Sequence, residues 1–271
     1  MIKKFYFLII LYFLFIPIFN LKIENSIHTL SINDFYDLII KYDSFNADKI
    51  NEYYDIYLTN NNVIYSLNKV NYPSFYLDKN NYKSFLFDNN IFVNKSCILD
   101  KDYIPKNLAP VTINKINRAG ETMLIDKETQ EFAEKMFNDA KNKNLDLTIF
   151  SAYRSYHKQI SIYNLTPDKE YVAIPGTSEH QTGLAIDIST RNAGLSIHFE
   201  NTDEFIFLKE NSYKYGFILR YPKDKVSITG YPYECWHYRY VGINLATFLY
   251  ENNLCLEEYI YMYVELKLHK I

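Results

Sequence analysis

The sequence predicts an α+β protein, because helical and strand periodicities are mixed along its second half without the strict βαβ order of a parallel sheet. A helix-spaced apolar stripe over residues 126–144 is followed by strand-like alternation over residues 145–150. With 48% hydrophobic residues among 271, the chain can build one substantial core or two small ones. We therefore expect a folded protein and not a disordered or polytopic membrane protein.

The charge and cysteine content narrow the possible partners. The chain carries 29 basic against 32 acidic residues, so it has no excess of positive charge for nucleic acid, and we expect no nucleic-acid partner. Its three cysteines, Cys97, Cys235 and Cys255, are odd in number and form no C-x-x-C pair. This argues against a disulfide framework and against a thiolate zinc site.

The amino terminus has the layout of a secretory signal. Lys3 and Lys4 precede an uncharged apolar run over residues 5–19. No small-x-small cleavage site follows, so residues 1–22 are predicted to be a signal anchor, or a signal peptide if they are cleaved. The rest of the chain is then extracytoplasmic and anchored to the cell membrane, or secreted after cleavage. A buried N-terminal helix is the alternative, but it gives the two lysines no purpose.

Residues 23–90 are predicted to form a small spacer module of unknown role. Helical spacing over residues 31–41, behind a cap at Ser31 or Asn33, predicts a short helix there. No group of catalytic residue types occurs in this stretch, which favours a stalk or docking element.

The main domain is predicted over residues 91–260, followed by a C-terminal tail, 261–271. Its strands are expected at 145–150, 183–189 and 236–241. Its helices are expected at 126–144, from a cap at Ser155, at 203–215 and at 243–252, with Gly216 ending the third of these.

Two of the strands carry candidate metal ligands. Alternation over residues 183–189 places Asp187 on the face opposite three aliphatic side chains, and His180 lies seven residues earlier, across a glycine-containing turn. In the last strand His237 lies opposite Trp236, Tyr238 and Tyr240. Two histidines and one carboxylate can occupy three corners of a tetrahedron and leave the fourth open to water, as catalytic Zn²⁺ sites require.

Other residues around these strands suit hydrolysis. Glu234, three residues before His237, could take a proton from a water whose pKa the metal has lowered, and return it to a leaving amine. Arg154 and Gln159 flank the start of the second helix, where a guanidinium and backbone N–H groups could hold a carboxylate. Such a carboxylate-binding site would bind the free carboxyl end of a peptide.

Three segments carry a family resemblance: SAYRSYHKQISIYN (151–164), PGTSEHQTGLAIDIS (175–189) and YKYGFILRYPKDKVSITGYPYECWHYRYVG (213–242). They resemble the VanY-type D-alanyl-D-alanine carboxypeptidases, zinc peptidases of the LAS group, with the S-x-H-x6-D and E-x-W-H elements in order. The resemblance implies a small, mostly antiparallel sheet flanked by helices, and the stem peptide of peptidoglycan as substrate. It implies zinc ligands His180, Asp187 and His237 and the catalytic base Glu234. It also implies that Arg154, Gln159 and Ser178 bind the terminal carboxylate of the substrate or polarise its scissile carbonyl, so that Arg154 is a catalytic candidate as well. We expect such an enzyme to act as a monomer.

Two residues near these motifs need separate interpretation. The family usually has proline where this chain has Cys235. Strand alternation would direct that thiol the same way as His237, near the metal, but we favour the alternative, a thiol packed against the wall of the turn. Glu179 would point away from His180 in an extended segment, so it is expected at the surface or behind a ligand.

Three alternative functions remain open. A non-haem iron oxygenase also uses two histidines and a carboxylate, but it spaces the first two ligands more closely than His180 and Asp187. A cell-wall-binding module could keep the fold and lack catalysis. Within the enzyme class, the scissile bond could be the terminal D,D bond of a pentapeptide, which we favour, or the L,D bond of a tetrapeptide.

Overall fold

The computed structural model describes residues 30–41, 45–60, 63, 66–67, 70, 82–83, 85–87 and 90–260. The predicted signal anchor, residues 1–22, and the predicted tail, residues 261–271, lie outside these ranges. Within them, every helix is too short or too polar to cross a bilayer.

The described part of the chain forms helices and strands in mixed order. Its α-helices are α1 Ile32–Ile39, α2 Ile50–Asn60, α3 Lys127–Asn142, α4 Tyr156–Leu165, α5 Asp203–Asn211, α6 Val226–Thr229 and α7 Ile243–Glu251. Its strands are β1 Tyr82–Lys83, β2 Phe85–Phe87, β3 Asn90–Phe92, β4 Cys97–Ile98, β5 Leu108–Pro110, β6 Leu124–Asp126, β7 Thr148–Ser151, β8 Ala185–Ser189, β9 Phe217–Leu219 and β10 His237–Tyr240. Short 3₁₀ turns include Glu179–Thr182 and Ser212–Tyr215.

A four-stranded sheet with the order β7-β8-β10-β9 is the centre of the fold, and all its neighbouring strands are antiparallel. Smaller pairs, β2–β3 and β5–β6, are antiparallel as well, whereas β1–β4 is parallel. The predicted α+β class with a small, mostly antiparallel sheet is therefore confirmed. In the pairing of β8 with β10, Asp187 lies directly opposite His237.

Most predicted elements form, with boundaries set by local hydrogen bonds. Asp126 caps α3 by accepting from the backbone N–H groups of Glu128 and Thr129, and Ser155 caps α4. The strand expected at 145–150 is displaced and begins at Thr148, because the Leu145 N–H still bonds to the Ala140 carbonyl at the end of α3. The helix expected at 203–215 divides into α5 and a 3₁₀ turn before Gly216 ends it.

The main core lies between α3 and the central sheet. Its buried members include Met136, Ala140, Ile149, Ile186, Ile188 and Tyr238. Earlier in the chain, α1 and α2 share a separate cluster that contains Phe35, Ile39, Tyr53, Tyr57 and Leu67. A helical part of the predicted spacer is therefore present, and its role stays a prediction.

Gly216 is required by both its backbone angle and its surroundings. Its φ is +81°, and a Cβ there would lie 2.7 Å from Cε2 of Tyr240 and 3.0 Å from the backbone carbon of Gly242. Gly120 has a similar φ of +74°, but a Cβ at that position would have nothing within 4 Å. The two glycines therefore separate the backbone strain from the steric clash.

We expect Gly216→Ala to lower the free energy of unfolding by roughly 2–4 kcal/mol, the sum of left-handed strain and overpacking. Gly120→Ala should cost about 1 kcal/mol, since it carries the strain alone. Urea denaturation of the full-length variants measures both values. Equal losses would show that the contacts with Tyr240 and Gly242 are unimportant.

Candidate metal centre

The three predicted ligands converge at one place in the fold. His180, Asp187 and His237 each offer one ligand atom, and these atoms all lie within 4.8 Å of one another. Asp187 and His237 face each other across β8 and β10, while His180 lies in the 3₁₀ turn Glu179–Thr182, just before β8. All three side chains are buried. The sheet register and the adjacent turn therefore preform the ligand set.

Hydrogen bonds select which nitrogen of each histidine faces the centre. His180 Nδ1 lies 2.7 Å from the Ala152 carbonyl oxygen, which leaves its Nε2 facing Asp187 Oδ2 at 3.2 Å. His237 Nε2 lies 3.4 Å from Glu179 Oε2, which leaves its Nδ1 facing Asp187 Oδ1 at 3.1 Å. Oxygen acceptors on the outer nitrogens are typical of metal-binding histidines, because they fix the tautomer and the ring orientation.

The donor types fit Zn²⁺, and the three side chains lie close enough together to face one ion. A tetrahedral zinc ion with bonds of about 2.0–2.1 Å holds its ligand atoms roughly 3.3 Å apart. In this structure His237 Nδ1 lies 3.1 Å from Asp187 Oδ1 and His180 Nε2 lies 3.2 Å from Asp187 Oδ2, and one ligand atom from each of the three residues lies within 4.8 Å of the other two. His180, Asp187 and His237 would hold the ion, and the fourth position would be open to water or substrate.

The charge state of Asp187 suits a ligand. Burial alone would raise its pKa, but contacts with His180 and His237 outweigh burial and hold the pKa well below its usual range. Burial has the opposite effect on a histidine and lowers the pKa of His180. For His237, hydrogen bonds to Asp187 and Glu179 overcome burial and raise the pKa to about 9. The carboxylate is thus ionised and available to a cation.

Glu234 lies beside the ligands in the turn that enters β10. Its Oε2 is 3.7 Å from His237 Nδ1, the nitrogen that faces the centre, and its side chain is 14% exposed. Burial raises the pKa of this carboxyl group to about 7, and although His237 opposes the shift, the negative charge of Asp187 adds to it. A carboxyl group with this pKa can both accept and return a proton near neutral pH.

Arg154 follows β7 and is bonded to the 3₁₀ turn Glu179–Thr182, which carries His180. Its backbone N–H donates to the His180 carbonyl at 3.1 Å, and its Nη2 lies 3.9 Å from Asp187 Oδ2. The guanidinium also donates to Gln159 Oε1 at 2.9 Å and to Ser151 Oγ at 3.0 Å. These bonds hold the positive charge of Arg154 beside the ligand set.

The other predicted substrate contacts are placed less directly. Gln159 is buried, and its Nε2 donates to the Ala173 carbonyl at 2.6 Å. Its Oε1 accepts from Arg154, so the nitrogen and the oxygen of its side-chain amide both form hydrogen bonds within the protein. Ser178 is buried directly before the turn Glu179–Thr182, and its hydroxyl does not cap that turn. Contact of either residue with substrate stays a prediction.

A cavity of about 360 Å³ opens beside the centre. Asp187, Arg154 and Ser151 contribute to its wall, together with the ion-paired side chains of Glu121 and Lys158. A short peptide end placed in this cavity would therefore meet Asp187, one of the three predicted ligands, and the guanidinium of Arg154.

Glu179 was expected either at the surface or behind a ligand, and the surface position is wrong. The segment is a 3₁₀ turn and not an extended strand, so the side chain turns inward and is only 1% exposed. Its Oε1 accepts from Arg220 Nε at 2.8 Å and from Arg239 Nη1 at 3.1 Å. Glu179 therefore lies behind His237, the other expected position.

Cys235 faces the core and not the metal ligands. Its Sγ donates to the Ser196 carbonyl at 3.5 Å, and the side chain belongs to the main hydrophobic cluster. Strand alternation does not apply to it, because β10 begins at His237 and residues 234–237 form a turn closed by the bond from His237 N–H to the Glu234 carbonyl.

Sequence reasoning missed Arg220 and Glu257, which are both completely buried behind Glu179. Neither lies in a motif, and Glu257 is 37 residues from its partner. Arg239 was not predicted either, although its position two residues after His237, on the same face of β10, is a signal that could have found it. No comparable local pattern marks Arg220 or Glu257.

Comparisons with known proteins agree with this geometry. The family model described as "VanY: D-alanyl-D-alanine carboxypeptidase" matches residues 122–243. The solved structure of the LdcB LD-carboxypeptidase is 38% identical, with a TM-score of 0.59, over 66% of this chain and 93% of that one. The chain belongs to the VanY family. The matched residues include all three ligands, Glu234 and Arg154.

Other VanY-family members extend the comparison. A D-alanyl-D-alanine carboxypeptidase of Enterococcus faecalis is 41% identical over 50% of this chain and 55% of its own length. The vancomycin-resistance D,D-pentapeptidase VanY, crystallised with Zn(II), is 34% identical, with a TM-score of 0.51, over 63% of this chain and 97% of that one. The chain spans between 47% and 66% of the length of the curated relatives it matches.

The geometry separates a ligand from a base. Asp187→Ala removes a carboxylate that touches both histidines, so we expect it to weaken Zn²⁺ binding by on the order of 100-fold. Glu234→Ala should change Zn²⁺ affinity only a few-fold, because its carboxyl group stands farther from the ligand atoms. Competition with a zinc-binding dye measures both affinities in full-length protein. Equal losses in the two variants would contradict this division of roles.

Proposed function

We propose that the chain is a zinc carboxypeptidase that removes the C-terminal D-alanine from peptidoglycan stem peptides outside the cytoplasm. The observation that carries this proposal is the convergence of His180, Asp187 and His237 beside Glu234. Burial raises the pKa of the Glu234 carboxyl group to about 7. Its membership of the VanY family supports the same reaction.

Zinc is the proposed cofactor. The nitrogen and oxygen donors suit it, and the similar VanY structure was crystallised with Zn(II). When bound, the ion would supply Lewis acidity, which lowers the pKa of water and polarises a carbonyl group.

The residues of the chain would perform the proton transfers and hold the substrate. Glu234 accepts a proton from the attacking water as the new carbon–oxygen bond forms at the carbonyl carbon. It then returns that proton to the amide nitrogen as the carbonyl group re-forms and the peptide C–N bond breaks, so that D-alanine leaves with a neutral amino group. Arg154, fixed by Gln159 and Ser151, offers its guanidinium to the terminal carboxylate or to the developing oxyanion.

The scissile bond is proposed to be D,D, with L,D cleavage as a second candidate. Similarity to LdcB supports L,D cleavage, because that protein is named as an LD-carboxypeptidase. Similarity to the VanY structure supports D,D cleavage, because that protein is named as a D,D-pentapeptidase. Both substrates end in D-alanine, so Arg154 would serve either. The residue before the scissile bond distinguishes the two activities.

The location and the assembly belong to the same proposal. Residues 1–22 would anchor the chain to the membrane, so that the domain at 91–260 works on the wall side. One copy of the chain contains the whole ligand set, which is consistent with a monomeric enzyme.

We expect the full-length chain, purified in detergent with Zn²⁺, to release D-alanine from a pentapeptide stem and more slowly from a tetrapeptide stem. Glu234→Ala should lower the rate by roughly 10²–10⁴-fold, the usual contribution of a general acid–base. A chelator should abolish release, and added Zn²⁺, but not Fe²⁺ alone, should restore it.

Free D-alanine, followed by chromatography, is the readout, and bound zinc is measured in each sample. Faster release from the tetrapeptide would assign the L,D activity instead. No release from either peptide by zinc-loaded protein would overturn the enzyme proposal in favour of a wall-binding module.

A further inference from the structure

Four buried charged side chains form a continuous row of contacts behind His237. Glu179, Arg220, Arg239 and Glu257 are each at most 1% exposed. Glu179 faces His237 with one oxygen and accepts from both arginines with the other. Arg220 then donates to both oxygens of Glu257, at 2.6 and 2.7 Å. A row of direct contacts thus joins Glu257 to a metal ligand.

Glu257 brings a distant part of the chain into this row. It belongs to the helical residues 256–260 that follow α7, well after the last predicted catalytic residue. Neighbouring side chains of that segment, Leu256 and Ile260, are buried in a cluster with Val241 and Leu249. The segment is therefore packed against the domain and holds Glu257 in place.

The two arginines are constrained to different degrees. Arg239 also donates to the Tyr240 carbonyl at 2.9 Å and to the Ile91 carbonyl at 2.8 Å, so the backbone fixes its position. Arg220 donates to Glu179 through Nε and to Glu257 through both terminal nitrogens, and its guanidinium lies over the Tyr221 ring. Without Glu257, two buried N–H groups of Arg220 would lose their acceptors, and the guanidinium would have to move or admit water.

We propose that Glu257 and Arg220 are positioning residues of the metal centre. They hold the carboxylate of Glu179, which in turn fixes the ring of His237 so that Nδ1 faces Asp187. This inference rests on the proposed zinc site, and it makes the segment after α7 a part of that site. Partners of this kind, behind a ligand, typically change metal affinity by about 10–100-fold.

The same segment contains a matched control. Glu258, next to Glu257, is also buried and forms an ion pair with Lys225 at 3.0 Å. It accepts from the Cys255 backbone N–H at 2.8 Å as well. Its partners are therefore not ligands and do not contact Glu179. A change at Glu258 tests the loss of a buried ion pair without touching the row behind His237.

The test compares Glu257→Gln with Glu258→Gln in the full-length chain. Zinc affinity is measured by dye competition, the visible absorption of the Co²⁺-substituted protein reports ligand geometry, and urea denaturation reports stability. We expect Glu257→Gln to weaken Zn²⁺ binding about 10-fold and to change the Co²⁺ spectrum. Glu258→Gln should lose stability to a similar degree, yet keep its zinc affinity within about two-fold and its spectrum unchanged.

Two outcomes overturn the inference: unchanged zinc affinity and Co²⁺ spectrum in Glu257→Gln, or equal losses of affinity in the two variants. If Glu257→Gln does not fold, Glu257→Asp, which keeps the charge, is compared with Glu258→Asp by the same criteria. Zinc-loaded wild-type protein that releases no D-alanine would overturn the proposed function alone. Wild-type activity together with unchanged zinc binding in Glu257→Gln would overturn this inference alone.

Discussion

The pairing of β8 with β10 is the constraint on which the site depends. It sets Asp187 opposite His237, and the side chains that alternate with them, Ile186 and Tyr238, enter the main core. A slip of one residue would exchange buried apolar groups for the ligands, so packing of the core fixes the register. The metal ligands are therefore aligned by the same interaction that stabilises the sheet.

The buried charges behind the sheet follow from that alignment. His237 needs an oxygen acceptor on its outer nitrogen, and Glu179 supplies one inside the protein, where an unpaired carboxylate would be costly. Burial alone would raise the pKa of Glu179, but Arg220 and Arg239 overcome it and hold that pKa well below its usual range. Arg220 in turn requires Glu257. Each charge is tolerated because the next one is present.

Local patterns anticipated the three side chains that converge, His180, Asp187 and His237, but they did not identify partners that are distant in sequence. Asp187 and His237 were identifiable because alternation within a single strand separates them from aliphatic neighbours. The contact of Arg220 with Glu257 joins residues 37 apart and leaves no periodic signal. The surface alternative for Glu179 and the metal-facing alternative for Cys235 share one cause, because both came from strand alternation and both residues lie in turns.

Asp187 and Glu234 show how the protein gives one chemical group two different protonation behaviours, which suit the two roles proposed for them. Both carboxyl groups are largely buried, and burial alone would raise the pKa of each. Asp187 touches His180 and His237 directly, and these contacts reverse the shift, so it stays ionised as a ligand should. Glu234 is 3.7 Å from His237, and the negative charge of Asp187 reinforces the effect of burial. Distance to the imidazoles, more than residue type, thus separates the proposed ligand from the proposed proton carrier.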